Sequence, residues 1–538
     1  MAINDVVNTD GSLNIKRLGE YHDEIADVDA QLADIAYIVK SSGDTTGVTD
    51  RININNAIST ADISNTMKKV LLIGDFIIKI PGSYGSAIQI ENGITLEFAM
   101  GAKVSIVDND YPGYQIINCF DKSNFKIINP YLIGDRALKE ARSFVGGGEF
   151  GVGLQLRGSK NFIINNVNVS ETWGDGVIIE INSSTMIDAE NGYIDRVIAN
   201  RCSRNSVAIS SGKNITIDEI ISSNCDRVLP GSALDIEPTF SYENLENIKI
   251  GTLISHNDPG SSGLRLNAFN NTTAPKNITI TIDNVYISGD TVAKCSGFKI
   301  ENSLTNKPLG YININDIIVK TALQWGLYIT GIVNNGLKVN IESVDLTLDD
   351  TTIAGTGSAL YFAINTQNQA TQNFGECIIN SLKIQGSYKY TGTVVCGLST
   401  ILPKLRMQKF LNVQSKPFNI SGGLKLSDFN DDGIQLNAVT IPASPWAFFN
   451  GTLYHNEGAV GAVAIGKYNM MENGGIITIE VRSAQSIGLN STAVVIQPAS
   501  LAWVNGFKCS EVGAKIRFKV VNGVIRIIDK IGNWVSWT

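Results

Sequence analysis

Short runs of alternating apolar and polar residues recur along the middle of the chain. One set, centred near residues 155, 178, 208, 235, 265, 299, 328 and 361, reads GLQL, GVIIEI, VAIS, ALDIE, GLRL, GFKI, GLYI and ALYF. A second set lies between these runs and includes NFIINNVNV, YIDRVIAN, NITIDEI, NIKIGTL, NITITIDNV and YININDIIV. Side chains alternate between the two faces of a strand, so both sets predict strands. Each period of 23 to 34 residues therefore holds at least two strands.

A period of this length is typical of stacked structural repeats. Because no helical pattern separates the strands, the repeat predicts a mainly β fold, a right-handed parallel β-helix. A β-sandwich is the competing interpretation, but it accounts less simply for the recurring register. The Asn residues at the strand ends predict turn positions or internal stacked ladders rather than ligands.

The N-terminal segment carries a heptad pattern. Its apolar positions are Leu18, Tyr21, Ile25, Val28, Leu32, Ile35 and Val39. Three heptads predict a short coiled coil; an amphipathic helix packed on its own domain is the alternative. VTDRININNAIST (48–60) predicts a second short helix.

The β-helical periodicity fades near residue 400. Runs such as GGIITIEVRSA and KIRFKVVNGVIRIID, with a VNG turn, predict a C-terminal antiparallel β-domain. We place the N-terminal attachment and coiled-coil segment at 1–45, the β-helix at 46–423 and the C-terminal domain at 424–538. The tryptophans of the last domain predict stacking platforms for sugar or a core that locks an oligomer.

Composition narrows the function classes. The net charge of −8 argues against a nucleic-acid partner, and no apolar run is long enough to span a membrane. The N-terminus has no signal-peptide pattern, which indicates synthesis in a cytoplasm without standard export. Seven scattered cysteines without a CxxC pair, and three histidines, indicate neither a disulfide framework nor a zinc site. No metal ligands and no cofactor are predicted; a divalent metal is possible, but nothing in the sequence indicates one.

Two carboxylates share one face of a predicted strand in ALDIEP. Asp235 and Glu237 are two residues apart, and in a strand such residues point the same way. Aligning the first set of runs by inward pairs such as Leu154/Leu156 and Leu234/Ile236 places Arg265 beside Asp235 on the next coil. Like charges on one face repel each other, so the pair predicts a binding or catalytic groove.

Three segments together resemble a known family. GGGEFGVGLQLRGSKNFIINNVNVSETWGDGVIIE (146–180), RNSVAISSGKNITI (204–217) and ALDIEP (233–238) look like the pectate-lyase-like β-helix of phage tail spikes and neck appendages. The resemblance covers roughly residues 45–330. Phe150 stands where the family pattern has Trp, and Asn205-Ser206 where it has Gln-Gly. Ala233 and Leu234 replace Gly and Ile.

The resemblance implies a homotrimer in the virion, joined to other tail or neck proteins through its N-terminus. Its partner on the host would be capsule, exopolysaccharide or wall teichoic acid, with no nucleic acid and no membrane involved. Carried over by position, the candidate catalytic residues are Asp235, Glu237, Asp175 and Glu149. The candidate substrate-binding residues are Arg204, Arg265, Arg157 and Trp173.

These residues suit glycoside hydrolysis, which uses two carboxyl groups with separated pKa values. Arg204 or Arg265 could hold a uronate or a phosphate. The predicted function is therefore recognition and hydrolytic depolymerisation of a host glycopolymer. The alternatives are a non-catalytic adhesin, a teichoic-acid phosphodiesterase, a polysaccharide lyase and a purely structural fibre. Asp175 also fits an ordinary Gly-Asp-Gly turn, Arg204 could simply neutralise the acids, and Glu180 reads as a solvated neighbour.

Overall fold

The structure is a computed structural model of the chain. It describes residues 36–64, 67–145, 147–225, 227–258, 262–267, 277–288, 296–300, 309–320, 325–330, 337–347, 358–363, 377–385, 395–396, 405–412, 434–435, 452–455, 463–465, 476–480, 487–490, 506–509, 511–521, 524–533 and 535–536. Within these residues, no helix combines the length and apolar character needed to cross a membrane. The predicted heptads before residue 36 and Trp446, Trp503, Trp534 and Trp537 lie outside the described residues.

The described helices are α1 (Val48–Ile63) and α2 (Arg136–Ala141). The first strands, in chain order, are β1 (Tyr37–Lys40), β2 (Lys69–Ile73), β3 (Asp75–Ile78), β4 (Ser86–Gln89), β5 (Thr95–Phe98), β6 (Lys103–Ile106), β7 (Gly113–Asn118), β8 (Lys126–Ile128), β9 (Tyr131–Ile133), β10 (Phe150–Arg157), β11 (Lys160–Asn165), β12 (Val167–Ser170), β13 (Val177–Glu180), β14 (Glu190–Asn200), β15 (Val207–Ile209), β16 (Gly212–Ser223), β17 (Leu234–Ile236), β18 (Leu245–His256) and β19 (Ser262–Leu266). The later strands are β20 (Asn277–Ser288), β21 (Ser296–Ile300), β22 (Leu309–Lys320), β23 (Trp325–Thr330), β24 (Lys338–Thr347), β25 (Ser358–Ala363), β26 (Cys377–Gln385), β27 (Val395–Cys396), β28 (Leu405–Asn412), β29 (Ile434–Gln435), β30 (Thr452–His455), β31 (Val463–Ile465), β32 (Ile476–Glu480), β33 (Ile487–Asn490), β34 (Gly506–Cys509), β35 (Lys515–Val521), β36 (Val524–Ile531) and β37 (Val535–Ser536).

Two long parallel sheets form a β-solenoid, which confirms the predicted fold class. Sheet A has 17 strands, namely β1, β2, β3, β5, β6, β8, β9, β11, β12, β14, β16, β18, β20, β22, β24, β26 and β28. Sheet B has 11 strands, in the order β27-β25-β23-β21-β19-β17-β15-β13-β10-β7-β4. The first set of sequence runs lies on sheet B and the second set on sheet A. The two sets therefore mark two sides of the same coils.

The inward residues of sheet B explain why the coils stack. Leu154, Val177, Val207, Leu234 and Leu264 occupy one column, and each is fully buried. Fully burying a side chain of this size stabilises a fold by about 1.5–3 kcal/mol. The recurring apolar positions thus favour stacking of every coil on the same register.

Asparagine side chains form a ladder near the starts of the strands of sheet A. Its members Asn124, Asn161, Asn191, Asn214 and Asn247 all have φ between 52° and 58°. Asn tolerates this left-handed conformation better than most residues. From Asn161 onward, each Nδ2 donates to the Oδ1 of the preceding asparagine at 3.0–3.2 Å. The prediction of stacked ladders is confirmed here, but the ladder is exposed and not internal, because its side chains point away from the apolar core.

The N-terminal boundary differs in part from the prediction. Helix α1 confirms the predicted second helix. However, Tyr37–Lys40 forms strand β1, which pairs in parallel with β2, and Val39 is buried in the core. The prediction that the first helix continues through Val39 is therefore wrong, because these residues complete the edge of sheet A instead.

The C-terminal strands form two smaller sheets that contain the predicted antiparallel pairs. Strand β32 pairs antiparallel with β35, and β35 with β36. In the other sheet, β33 pairs antiparallel with β34, and β34 with β37. The pairs β29–β30, β30–β32 and β31–β33 are parallel, so both sheets are mixed.

Candidate functional site

The outward face of sheet B has the register predicted from the sequence. Gln155, Ile178, Ala208, Asp235 and Arg265 follow one another on successive strands. Adjacent strands of a sheet lie about 4.8 Å apart, so residues of this column are close neighbours. Side chains more than one hundred positions apart in the chain therefore share one surface.

An open groove of about 340 Å³ lies on this face. Its lining combines acids, arginines, amides and aromatic rings. The lining residues are Tyr84, Ser86, Gln115, Asn118, Phe120, Glu149, Phe150, Val152, Gln155, Arg157, Asp175, Ile178, Glu180 and Arg204. A concave site with a few convergent polar groups is where ligands usually bind.

Glu149, Asp175 and Arg204 meet at this groove, as their positions just before successive strands predict. Backbone contacts at Gly174 bring them together. The N–H of Arg204 donates to the Gly174 carbonyl at 3.2 Å. A Cβ at Gly174 would lie only 2.6 Å from the Glu149 carbonyl oxygen, so glycine allows these two coils to approach. Glu149 and Asp175 therefore lie on adjacent coils of the solenoid.

Asp175 is the most buried acid of the groove, at 1% exposure. Its Oδ1 accepts the backbone N–H of Asn205 at 2.9 Å, and its Oδ2 accepts Arg204 Nη1 at 3.1 Å. Burial raises the pKa of Asp175, although Arg204 and the Asn205 N–H act in the opposite direction. A carboxyl group with this balance can hold a proton closer to neutral pH than a surface aspartate.

Asp235, Glu237 and Arg265 form a second cluster on the following coils. Arg265 Nη1 lies 3.3 Å from Asp235 Oδ1 and 2.9 Å from Glu237 Oε2. Asp235 is 1% exposed, and it also accepts Asn205 Nδ2 at 3.3 Å. Burial raises the pKa of Asp235 to about 7, against the lowering effect of Arg265. Asn267 Nδ2 donates to the other Glu237 oxygen at 2.7 Å.

Neither Asp235 nor Glu237 lines the groove. Of the candidate catalytic acids, Asp175 and Glu149 line this groove, whereas Asp235 and Glu237 lie outside its lining, on the following coils. Arg204 connects the two clusters, because its Nη1 binds Asp175 and its Nη2 lies 3.8 Å from Glu237. The paired acids share a face because guanidinium groups stand between them and offset their repulsion.

Glu180 and Arg157 form an ion pair at another part of the groove. Glu180 Oε1 accepts Arg157 Nε at 2.9 Å and Gln155 Nε2 at 2.6 Å. The side chain of Glu180 is only 16% exposed, so the interpretation of a solvated neighbour is wrong. The guanidinium carbon of Arg157 also lies 5.8 Å from the centre of the Phe120 ring.

Trp173 is fully buried, which corrects its prediction as a substrate-binding residue. Its ring packs 5.7 Å from the Phe144 ring, and the Arg227 guanidinium carbon lies 3.8 Å from the ring centre. The backbone N–H of Trp173 donates to the Tyr114 hydroxyl at 3.2 Å. A sugar cannot stack on this ring, because core residues cover it. Trp173 instead supports the turn that carries Asp175.

Sequence reasoning missed the exposed aromatic residues of the groove. Tyr84, Phe150 and Phe120 are 54%, 49% and 39% exposed. The Tyr84 and Phe150 rings meet edge to face at 5.9 Å. Asn205, which contacts both Asp175 and Asp235, was also missed. Phe150 and Asn205 had a signal in the sequence, because the resembling family has another aromatic residue at the first position and a glutamine at the second.

Apart from Glu149, the acids described above are paired with arginines. Among the described residues, no three His, Cys, Asp or Glu side chains are placed to hold one metal ion. Asp175 contacts Arg204, and Asp235 and Glu237 both contact Arg265. The arrangement offers proton-transfer groups and hydrogen-bond donors.

No protein-family model and no curated protein matches the chain. Among solved structures, the chain is similar to the A-module of mannuronan C-5 epimerase AlgE4 from Azotobacter vinelandii. The TM-score is 0.47 at 15% identity, over 74% of this chain and 98% of that one. It is also similar to PfbA, a surface adhesin of Streptococcus pneumoniae, with a TM-score of 0.34 at 12% identity, over 92% of this chain and 98% of that one. At these scores, function has to be argued from the site itself.

Proposed function

We propose that the chain binds a cell-surface glycopolymer in the groove and depolymerises it by hydrolysis. The observation that carries the proposal is Asp175, a buried carboxyl group at the groove whose pKa is raised by burial. Glu149 stands on the adjacent coil and is exposed. Glycoside hydrolysis needs two such groups, one that keeps a proton and one that is ionised.

The two acids have distinct roles in this proposal. Asp175 donates a proton to the oxygen of the departing sugar, and Glu149 acts as the base that activates water or as the nucleophile. Arg204 orients Asp175 through their 3.1 Å contact. Asp235 and Glu237 hold Arg204 and Arg265 in place, which keeps the groove acids in a fixed arrangement.

The biological setting that we propose is a phage tail spike or neck appendage. The resemblance of residues 146–180, 204–217 and 233–238 to that family supports it, together with the parallel solenoid. In this setting three chains associate, and the N-terminal segment attaches the trimer to other tail or neck proteins. The host polymer is capsule, exopolysaccharide or wall teichoic acid.

A non-catalytic adhesin is the second candidate. Both oxygens of Asp175 already accept hydrogen bonds from Asn205 and Arg204, and the side chain is almost hidden from solvent. A proton donor has to be freed from such contacts before it reaches a substrate, whereas a ligand contact does not. The two candidates differ in turnover, not in the place of binding.

The test uses purified wild type and the variants Asp175→Asn and Glu149→Gln. They are incubated with capsule, exopolysaccharide and teichoic-acid extracts from a panel of bacteria, and fragment size and end groups are read by mass spectrometry. We expect wild type to release fragments with new reducing ends, and each variant to lose about 10²–10⁴-fold in rate, the usual contribution of an acid or base catalyst.

Glu190→Gln is the matched control, because Glu190 belongs to strand β14 of sheet A and pairs with Lys160. It should cut at the wild-type rate. Binding without fragments on the polymer that wild type recognises would establish the adhesin. Unsaturated ends absorbing near 235 nm would indicate a lyase, and phosphate-bearing fragments a phosphodiesterase. Full activity in Asp175→Asn would move the site elsewhere.

A further inference from the structure

The charges that line the groove give it no excess of positive charge. Three carboxylates, of Glu149, Asp175 and Glu180, face two guanidinium groups. Both guanidinium groups are already paired: Arg157 with Glu180 at 2.9 Å and Arg204 with Asp175 at 3.1 Å. Glu149 forms no ion pair within the described residues. When Asp175 holds the proton that the proposed function gives it, two carboxylates balance the two guanidinium groups; when Asp175 is ionised, the lining has one negative charge in excess. In neither state does the lining have an excess of positive charge.

From this balance we infer that the groove takes uncharged sugar units, neutral hexoses or N-acetylhexosamines, rather than uronates or phosphates. The inference rests on the proposed function, because it names the substrate class of the same groove. A polyanion would place one negative charge per repeat beside Glu149. Like charges that face each other at an interface weaken the binding of the wrong partner and so contribute to specificity.

An aromatic surface at one end of the groove suits an uncharged sugar ring. Tyr84 and Phe150 come from different coils and lie on either side of Gly113. A Cβ at Gly113 would lie 2.6 Å from Tyr84 Cε1 and 2.7 Å from Phe150 Cβ, so the two side chains depend on that glycine. Both rings are about half exposed. Large aromatic area that remains uncovered beside polar groups is typical of a binding surface.

Amide and hydroxyl groups continue from this surface along the groove. Asn118 Nδ2 donates to Ser86 Oγ at 2.9 Å, and Ser86 Oγ donates to Gln115 Oε1 at 3.0 Å. The Oδ1 of Asn118 is buried and has no hydrogen-bond partner among the described residues. A small rotation of this amide would present an acceptor to the ligand. A sugar hydroxyl can donate to it, whereas an ionised carboxylate or phosphate cannot.

These features agree on one ligand chemistry. The aromatic pair covers the apolar face of a sugar ring, and the amides of Asn118 and Gln115 bond its hydroxyl groups. The paired arginines contribute hydrogen-bond donors without a surplus charge. Uronate and teichoic-acid polymers, which the sequence leaves open, fit this lining less well than a neutral glycan.

The experiment measures binding of the full chain to an array that carries neutral hexose and N-acetylhexosamine oligosaccharides, uronate oligosaccharides and glycerol-phosphate oligomers. The best binders are titrated in 50 and 500 mM NaCl. We expect neutral glycans to bind with an affinity that changes less than twofold between these salt concentrations, because screening acts on charge pairs.

Two sets of variants sharpen the result. Tyr84→Ala and Phe150→Ala should each weaken binding of the neutral glycan by about two- to tenfold. Tyr131→Ala is the control: Tyr131 is 38% exposed but lies on strand β9 of sheet A, and its loss should not change binding. Glu149→Lys gives the lining an excess of positive charge and should let uronate oligosaccharides bind, in a manner that salt weakens.

The binding and cutting experiments test the neutral substrate class and the proposed hydrolysis separately. Tighter binding of uronate or phosphate oligomers by wild type, salt-sensitive binding, or no binding to any neutral glycan would overturn the inference. Neutral-glycan binding without cutting would leave the inference standing and remove hydrolysis. Cutting of a uronate or phosphate polymer would support a depolymerase and overturn the neutral substrate class.

Discussion

The same kinds of charged side chain have different surroundings on the two sheets of the solenoid. On sheet A, Arg196 pairs with Glu219, and their side chains are 50% and 27% exposed. On sheet B, Arg265 pairs with Asp235, and the exposures are 13% and 2%. Water screens the first pair, so this pair contributes little to the free energy of folding. The second pair has lost most of its hydration.

This difference shows how the same repeat both stacks the coils and, on sheet B, forms a candidate site. The register is equally regular on both sheets, so stacking alone does not create a site. Sheet B becomes a candidate site where outward acids are covered by arginines and asparagines of neighbouring coils. Burial then raises the pKa of Asp175 and of Asp235, and proton-transfer chemistry near neutral pH becomes accessible.

The largest expected effect on stability comes from removing one partner of the buried cluster. Arg265→Met leaves Asp235 and Glu237 without their shared guanidinium, and breaking a buried pair in this way costs about 3–5 kcal/mol. Arg196→Met on sheet A should cost less than about 1 kcal/mol. Chemical denaturation of both variants measures the free energy of unfolding. Equal losses would mean that the two sheets do not differ in this respect.

The free energy of unfolding should depend on pH because of Asp235. Its pKa is raised from the ordinary value of 3.8 to about 7 in the folded chain. Between about pH 4 and pH 7 the folded chain keeps a proton that the unfolded chain has lost, so the contribution to stability falls as pH rises and levels off above 7.

Denaturation midpoints across pH 4–8 check this prediction. Asp235→Asn should show a flatter profile than wild type, because the amide does not titrate. Asp175→Asn should flatten the profile in the same direction, since burial also raises the pKa of Asp175. A wild-type midpoint that rises steadily from pH 4 to pH 7, unchanged in slope by both substitutions, would contradict the assignment.

A smaller effect on the free energy of unfolding is expected at the asparagine ladder of sheet A. Asn191 has φ of 55° and bonds to Asn161 and Asn214. Asn191→Ala should lower the free energy of unfolding by about 1–2 kcal/mol, because alanine is strained in this conformation and loses the side-chain hydrogen bonds. Asn191→Gly relieves the strain and should lose less. Neither variant should change glycan binding; a change would extend the functional surface to sheet A.

The smallest effect, on fragment release, is expected from removal of metal ions. Dialysis against EDTA should leave fragment release unchanged, because the proposed reaction uses carboxyl groups and water. Activity that disappears with EDTA and returns with Ca²⁺ or Mg²⁺ would require a metal-dependent mechanism instead.

The sequence by itself determined the parallel solenoid, the strand positions and the column that joins Asp235 to Arg265. These follow from a period-2 pattern and a repeated register, which are properties of the chain alone. It also brought Glu149, Asp175 and Arg204 to one edge, because each precedes a strand of the same set.

Only the tertiary structure decided which residues reach the groove and how deeply each is buried. Trp173 and Asp175 are two residues apart, yet one is covered by Phe144 and Arg227 while the other lines the groove. Tyr84 and Phe150 meet because Gly113 leaves them room. Such contacts depend on turns and on neighbouring coils, and no local pattern records the depth of burial that sets the pKa of an acid.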